Sequence, residues 1–250
     1  MNRSMPFVVP AVLFFALSMP ASRAQTIEGA AYATPITDNV QPLIYGNLFS
    51  KSYIDRAKGD RERHARFDRR AADPASDVEF AVQFDPQVSR EVRADYIAEV
   101  ERNSGAKAAR GLDDYYEAND VHALLRTAVA PYGLRTDDLG DVTTAWLVVM
   151  WMTANQAALP SVEVVRGVRA QTRAALLEGG RVPAGAKERQ RTLETLAYQT
   201  VTLIRVRESA QASGNQAYLA ELSDSAQASM RRQDFDLRAM ALTRTGMVRR

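Results

Sequence analysis

The stretch Leu139–Ala157, LGDVTTAWLVVMWMTANQA, constrains the fold of this chain more than any other. It carries both tryptophans, Trp146 and Trp151, inside the unbroken apolar run Ala145–Met152. At helical period Leu139, Val142, Trp146, Met150 and Trp151 form one stripe, and Ala145, Val148 and Met152 form a second beside it. A helix apolar nearly all round is one that other helices pack against. Burying its six largest side chains is worth on the order of 10–15 kcal/mol, an upper bound because denatured chains already hide some surface. The run falls well short of the roughly 20 apolar residues that a spanning helix needs. Asp141 and Asn155 bracket it. The central helix is therefore expected at the core of a globule, with both indoles sealed.

The chain opens with Arg3, an apolar core from about Pro6 to Leu17, Pro20, and the small residues around Ser22–Ala24. That layout reads as a signal peptide, residues 1–24, cleaved after Ala24. The expected address is periplasmic or secreted, and the product is not membrane-spanning. Residues 1–24 hold two arginines and no acid, so the remainder carries 30 basic and 30 acidic residues. The basic isoelectric point of 8.9 is then a property of the leader and gives no reason to expect nucleic acid as a partner. Cysteine is absent, which excludes disulfides, thiol chemistry and cysteine-based metal sites.

Residues 25–75 are polar and charge-rich, and are expected to form a largely disordered linker or N-terminal arm. Within them, residues 51–70 count eight basic against four acidic side chains. An envelope protein, a glycan or an anionic surface is the partner such a run suits. Residues 76–84 follow as an extended strap, because Val78, Phe80, Val82 and Phe84 alternate with polar or small residues.

From Asp85-Pro86 the pattern is helical to the end, giving an all-α single bundle of about six to seven helices across residues 76–250. Helices are expected from Pro86 to about Asn103, over a turn or two at Ala106–Leu112, and from Val121 to Pro131. The central helix runs from Thr136 to about Ala158. Others run from Val162 to Gly179, from Ala186 to Ala212, and from Gln216 to Gln233. The tail, with Phe235, Leu237, Met240 and Met247, folds back onto the bundle.

Few residues carry a chemical signal. Asp137 and Asp138 are accounted for by the helix dipole and the free N–H groups of a first helical turn. Asp141 is different, because it shares a face with Ala145, Val148 and Met152 and must find a partner there. An arginine from another helix is expected to pair with it and fix how the helices dock. Asp113, Asp114, Glu117 and Asp120 lack the alternate-position ligands and glycine of a calcium loop and read as a solvated face. The two histidines, His64 and His122, are too far apart in sequence to suggest a zinc site, and His122 reads as a boundary residue. No catalytic residue, metal site or cofactor is expected. The motif G-x-S-x-G is missing, and Glu208-Ser209 matches lytic enzymes in two letters only.

The segment Tyr132-Gly133-Leu134, then Asp137-Asp138-Leu139, Asp141 and Trp151, resembles a family of exported proteobacterial proteins, domain of unknown function 6683. The resemblance spans about Phe84 to Met247. It implies an α-helical exported protein and brings no catalytic residues with it. Two functional expectations stand. The first is a non-enzymatic binding module of the cell envelope. The second is an enzyme or small-molecule carrier with a pocket near the N-terminus of the central helix, formed by Asp141, Tyr132 and Asn155.

Overall fold

The computed structural model describes residues 79–250. The leader, the linker with its basic run, His64 and Val78 lie outside the described residues. The described chain is an all-α bundle of seven α-helices. They are α1 (Pro86–Ser104), α2 (Ala106–Ala118), α3 (Val121–Val129), α4 (Leu139–Ala154), α5 (Val162–Glu178), α6 (Ala186–Ala212) and α7 (Gln216–Arg231). Short 3-10 turns cover Ala130–Tyr132 and Leu237–Ala239. No described helix is long and apolar enough to cross a membrane.

Several helices begin on side-chain caps. Asp85, Asp120, Asp138, Ser161 and Asn215 each accept a backbone N–H from the turn that follows. These are the residue types whose short polar side chains satisfy the first free donors of a helix. Pro86 sits at the first helical position of α1, where its missing N–H costs nothing.

Helix α4 is the axis. Every residue from Leu139 to Ala154 is buried except Trp151, which is half-buried. Trp146 is sealed as expected, whereas Trp151 reaches the edge and donates its indole N–H to the Met240 carbonyl at 2.9 Å. The helix stops at Ala154, four residues earlier than its pattern suggests. Gln156 adopts a left-handed φ of 48°, and Ala157 N–H bonds back to Met152 O at 2.9 Å, so the chain turns away.

The second helix is longer than the expected turn or two, reaching Ala118. Ala108, Leu112 and Tyr116 recur every fourth residue and point inward, while Asp113 pairs outward with Arg93 at 2.6 Å. Tyr116 and Tyr96 both bond the Thr202 hydroxyl, at 2.6 and 3.0 Å, and both rings pack on Tyr198. Burial pushes the Tyr198 phenol up to about 12. The strap also differs in part from expectation. Glu79 and Phe80 are helical, and the chain is extended only from Ala81, which forms a β-bridge to Asp138. Phe80 and Val82 are buried, but Phe84 is exposed and meets His122 edge-on.

The tail does fold back, as a hairpin that its sequence pattern does not announce. Strands β1 (Met240–Thr243) and β2 (Gly246–Arg249) pair antiparallel, with Met240 opposite Arg249. Gln171 on α5 serves the free edge of β2: its amide donates to Met247 O at 3.1 Å and accepts Met247 N–H at 2.7 Å. Gly167 lets the Arg244–Gly246 turn lie directly on α5, since any Cβ there would overlap the Arg244 carbonyl. Asp236 holds the entry to the hairpin. Its carboxylate accepts from Arg231 (2.9 Å), Gln227 (2.7 Å) and the backbone N–H groups of Arg238 and Ala239.

The Arg231 hydrogen bond, with those of Gln227 and Ala239, holds the Asp236 carboxyl below its ordinary value despite some burial. A carboxylate lowered in the folded state contributes stability above its unfolded value, and that contribution is lost as pH falls through the folded value. Acidification from about pH 4 towards pH 2 is therefore expected to loosen the hairpin and shift the Trp151 indole N–H resonance. Asp236→Asn should abolish that pH-dependent step. A resonance that stays fixed until global acid unfolding would contradict this role.

Candidate functional site

The start of α4 gathers the strongest electrostatics among the described residues. Asp138 is the N-cap, its Oδ1 accepting the Asp141 N–H at 2.9 Å. Arg173 arrives from α5 with no exposed surface and places Nη1 at 2.7 and 2.8 Å from the two Asp138 oxygens. The same nitrogen stands 3.5 Å from Asp141 Oδ1. Arg169, one turn earlier on α5, clamps Asp141 with Nε at 2.5 Å and Nη2 at 3.0 Å. Asp141 also accepts the Arg135 backbone N–H at 2.9 Å.

Two neighbours make room for this cluster. The Arg173 guanidinium lies 4.3 Å above the buried ring of Phe80, a cation–π contact away from water. Gly140 leaves the space that Arg173 occupies, because a Cβ there would stand 2.9 Å from Arg173 Cγ. Burial raises the Asp141 carboxyl above its ordinary value, opposed by the Arg169 hydrogen bonds and reinforced by the charge of Asp138. Asp141 thus finds the arginine partner expected from another helix, in Arg169. Asp138 does more than cap, which the sequence reading of a dipole-stabilised acid missed.

Asp141, Tyr132 and Asn155 do not share a pocket. Asp141 is sealed within its ion pairs. Asn155 stands at the other end of α4, 14 residues and about 21 Å along the axis. There its amide donates to Trp151 O and Leu237 O, and its carbonyl accepts from Arg250, so it closes the helix over the hairpin. Tyr132 belongs to a third place, the flank of α4. The convergence failed because helical spacing fixes a residue's face and leaves its height along the axis free.

A hollow of about 880 Å³, as apolar as it is polar, opens beside the start of α4, lined by Phe84, Leu134, His122, Arg126, Arg135 and Asp137 among others. Asp141 does not line it. His122 is half-buried at its edge, with Nε2 3.5 Å from the buried Glu194. Ser89 donates to the same Glu194 oxygen at 2.6 Å. Among the described residues no group of three acidic or histidine side chains is placed to hold a metal ion.

The flank of α4 carries a different kind of site. A cleft of about 600 Å³ runs between α3, α4, α5 and α6, floored by Ala145, Val148, Val149 and Met152. Tyr132, Val165 and Ile204 form its walls, and Leu159, 71% exposed, stands at its mouth. The residues that floor it include the whole second stripe of the central helix. At one end sits Arg207 of α6, only 9% exposed, which donates from Nη2 to Ala157 O at 3.2 Å. Arg207 falls on the inward row of α6 after Leu196, Thr200 and Leu203. A cation on an apolar row was the sequence signal for it.

No protein-family model, characterised protein or solved structure matches this chain.

Replacing Asp141 by asparagine removes the charge that holds Arg169 and sits beside Arg173. Arg169 is partly exposed and can rehydrate, so the expected loss is about 2 kcal/mol in chemical denaturation. An unchanged unfolding midpoint would show that the pair does not contribute to helix docking.

Proposed function

We propose that this protein is a non-enzymatic binding module of the bacterial cell envelope, and that its ligand lays an apolar body in the cleft along α4. The observation that carries this reading is the cleft itself. Its floor and most of its walls are aliphatic, from four helices of the described bundle, and its volume lies in the range of small-ligand sites. The floor residues of α4 are only 6–8% exposed, and the opening above them is concave. Leu159 extends that surface outward at the mouth.

The chemistry at Asp141 supports binding over catalysis. A carboxylate with both oxygens engaged by guanidinium and backbone donors, and no exposed surface, is poorly placed to take a proton from a substrate. The leader-like layout of residues 1–24, and the resemblance to an exported family, support a periplasmic or secreted address. The basic run at 51–70 suits a tether to an anionic envelope surface.

A neutral environment-sensitive dye, N-phenyl-1-naphthylamine, tests the cleft. Saturable fluorescence enhancement is expected with the wild-type protein. Ala128 is half-buried on the α3 rim of the cleft, so Ala128→Trp fills the opening with little disturbance of the core. It should weaken dye binding about tenfold. No enhancement with wild type, or equal binding by the variant, would overturn the reading.

A further inference from the structure

Among the described residues, Arg207 is a buried cation with little to balance it. The residue as a whole is about nine-tenths buried, at the end of a cleft whose lining is chiefly apolar. Among the described residues its one hydrogen bond goes to the neutral Ala157 carbonyl, and no carboxylate stands within ion-pair distance. Glu208, the next residue, is half-exposed and turned to Arg205 at 3.0 Å. The contrast with Arg173 is direct, since that guanidinium, with no exposed surface, meets two carboxylates. The charge of Glu208, which also borders the cleft, offsets only part of the cost of burying Arg207, and arginine does not escape that cost by losing its proton near neutral pH. Desolvation does lower the Arg207 guanidinium from its ordinary value, in keeping with this setting.

Arg207 also lines a second, smaller hollow of about 200 Å³, with Gln156, Gln211 and Gln216. The guanidinium therefore stands where the apolar cleft meets a polar recess. A ligand with an acidic head and an apolar tail matches both sides at once.

Resting on the cleft reading above, we propose that the ligand is an amphipathic carboxylate of the fatty-acid type. Its carboxylate pairs with Arg207, and its chain lies over Val148, Val149 and Met152 towards Tyr132. A planar guanidinium meets a carboxylate through two parallel hydrogen bonds, which gives orientation as well as affinity. The aliphatic floor takes the chain without polar demands of its own.

Isothermal titration of the purified protein with decanoate and with decanol, both below their micelle or solubility limits, tests this. Decanoate is expected to bind wild type about 10- to 100-fold more tightly than decanol. Arg207→Met should remove that preference by weakening decanoate binding far more than decanol binding, with folding checked by circular dichroism. If wild type binds the two equally, or if the folded variant keeps the preference for decanoate, Arg207 does not read an anion and this inference is overturned. The cleft reading survives that result, provided Ala128→Trp still blocks both probes. If neither amphiphile binds, and the neutral dye fails as well, both readings fall together.

Discussion

The buried Arg173 guanidinium between Asp138 and Asp141 is the constraint to which the rest of the structure answers. Taking an arginine wholly out of water costs several kcal/mol unless charge and hydrogen bonds replace the lost hydration. Here Asp138 supplies both oxygens, Asp141 adds a second charge, and the Phe80 ring covers one face. Those partners come from two parts of the chain, the start of α4 and the strap. The strap must cross α4 at Asp138, where Ala81 and Val82 pair with Asp138 and Asp137. Helix α5 must lie where its arginines reach the first turn of α4. Gly140 must lack a side chain so that Arg173 can lie against the helix. Apolar packing makes the bundle stable, and interdigitated side chains already resist a slide of one helix along another. Directed charge pairs add to that resistance, so the cluster reinforces the register.

The far end of α4 is fixed by hydrogen bonds to backbone carbonyls. Asn155, Arg238 and Trp151 bond across to the 3-10 turn, the α4 carbonyls and the hairpin. Gln171 lends β2 the hydrogen bonds that a third strand would supply. Between the two pinned ends one flank of α4 borders the cleft, with its floor residues still buried. Arg207 lies there without the partners that Arg173 has. The two arginines obey one rule of burial, one satisfied within the fold and the other directed at what enters from outside.

Much of the fold was legible in the sequence because it rests on local patterns. The cap at Asp85, the proline at 86 and the apolar run around Trp146 speak through spacing alone. Asp141 was legible as an acid on an apolar face, which demands a partner. The identity of that partner was not, since Arg169 is 28 residues distant and several arginines of α5 compete for the role. Asp138 hid behind an adequate local explanation: a cap is a complete role for an aspartate, and nothing nearby signals a second one. The extent of α2 was masked by Asp113, Asp114 and Glu117, whose charges dilute the Ala108–Leu112–Tyr116 row. The hairpin depends on Gly167 and Gln171 of α5, contacts that no pattern within the tail contains. The site was the least legible part. Tyr132 lines the cleft, but Asp141 and Asn155 hold the two ends of the helix that forms its floor.

The most direct test of the charge lock is a double-mutant cycle between Asp138→Asn and Arg173→Met, read by urea unfolding. Each single change strands or unbalances a buried charge and is expected to cost about 3–5 kcal/mol. The double variant removes the charges of that pair together, so it should recover part of the loss, with a coupling energy of about 1.5–3 kcal/mol. Effects that simply add, within about 0.5 kcal/mol, would mean that Asp138 and Arg173 act independently and that the bundle's register is set by packing alone.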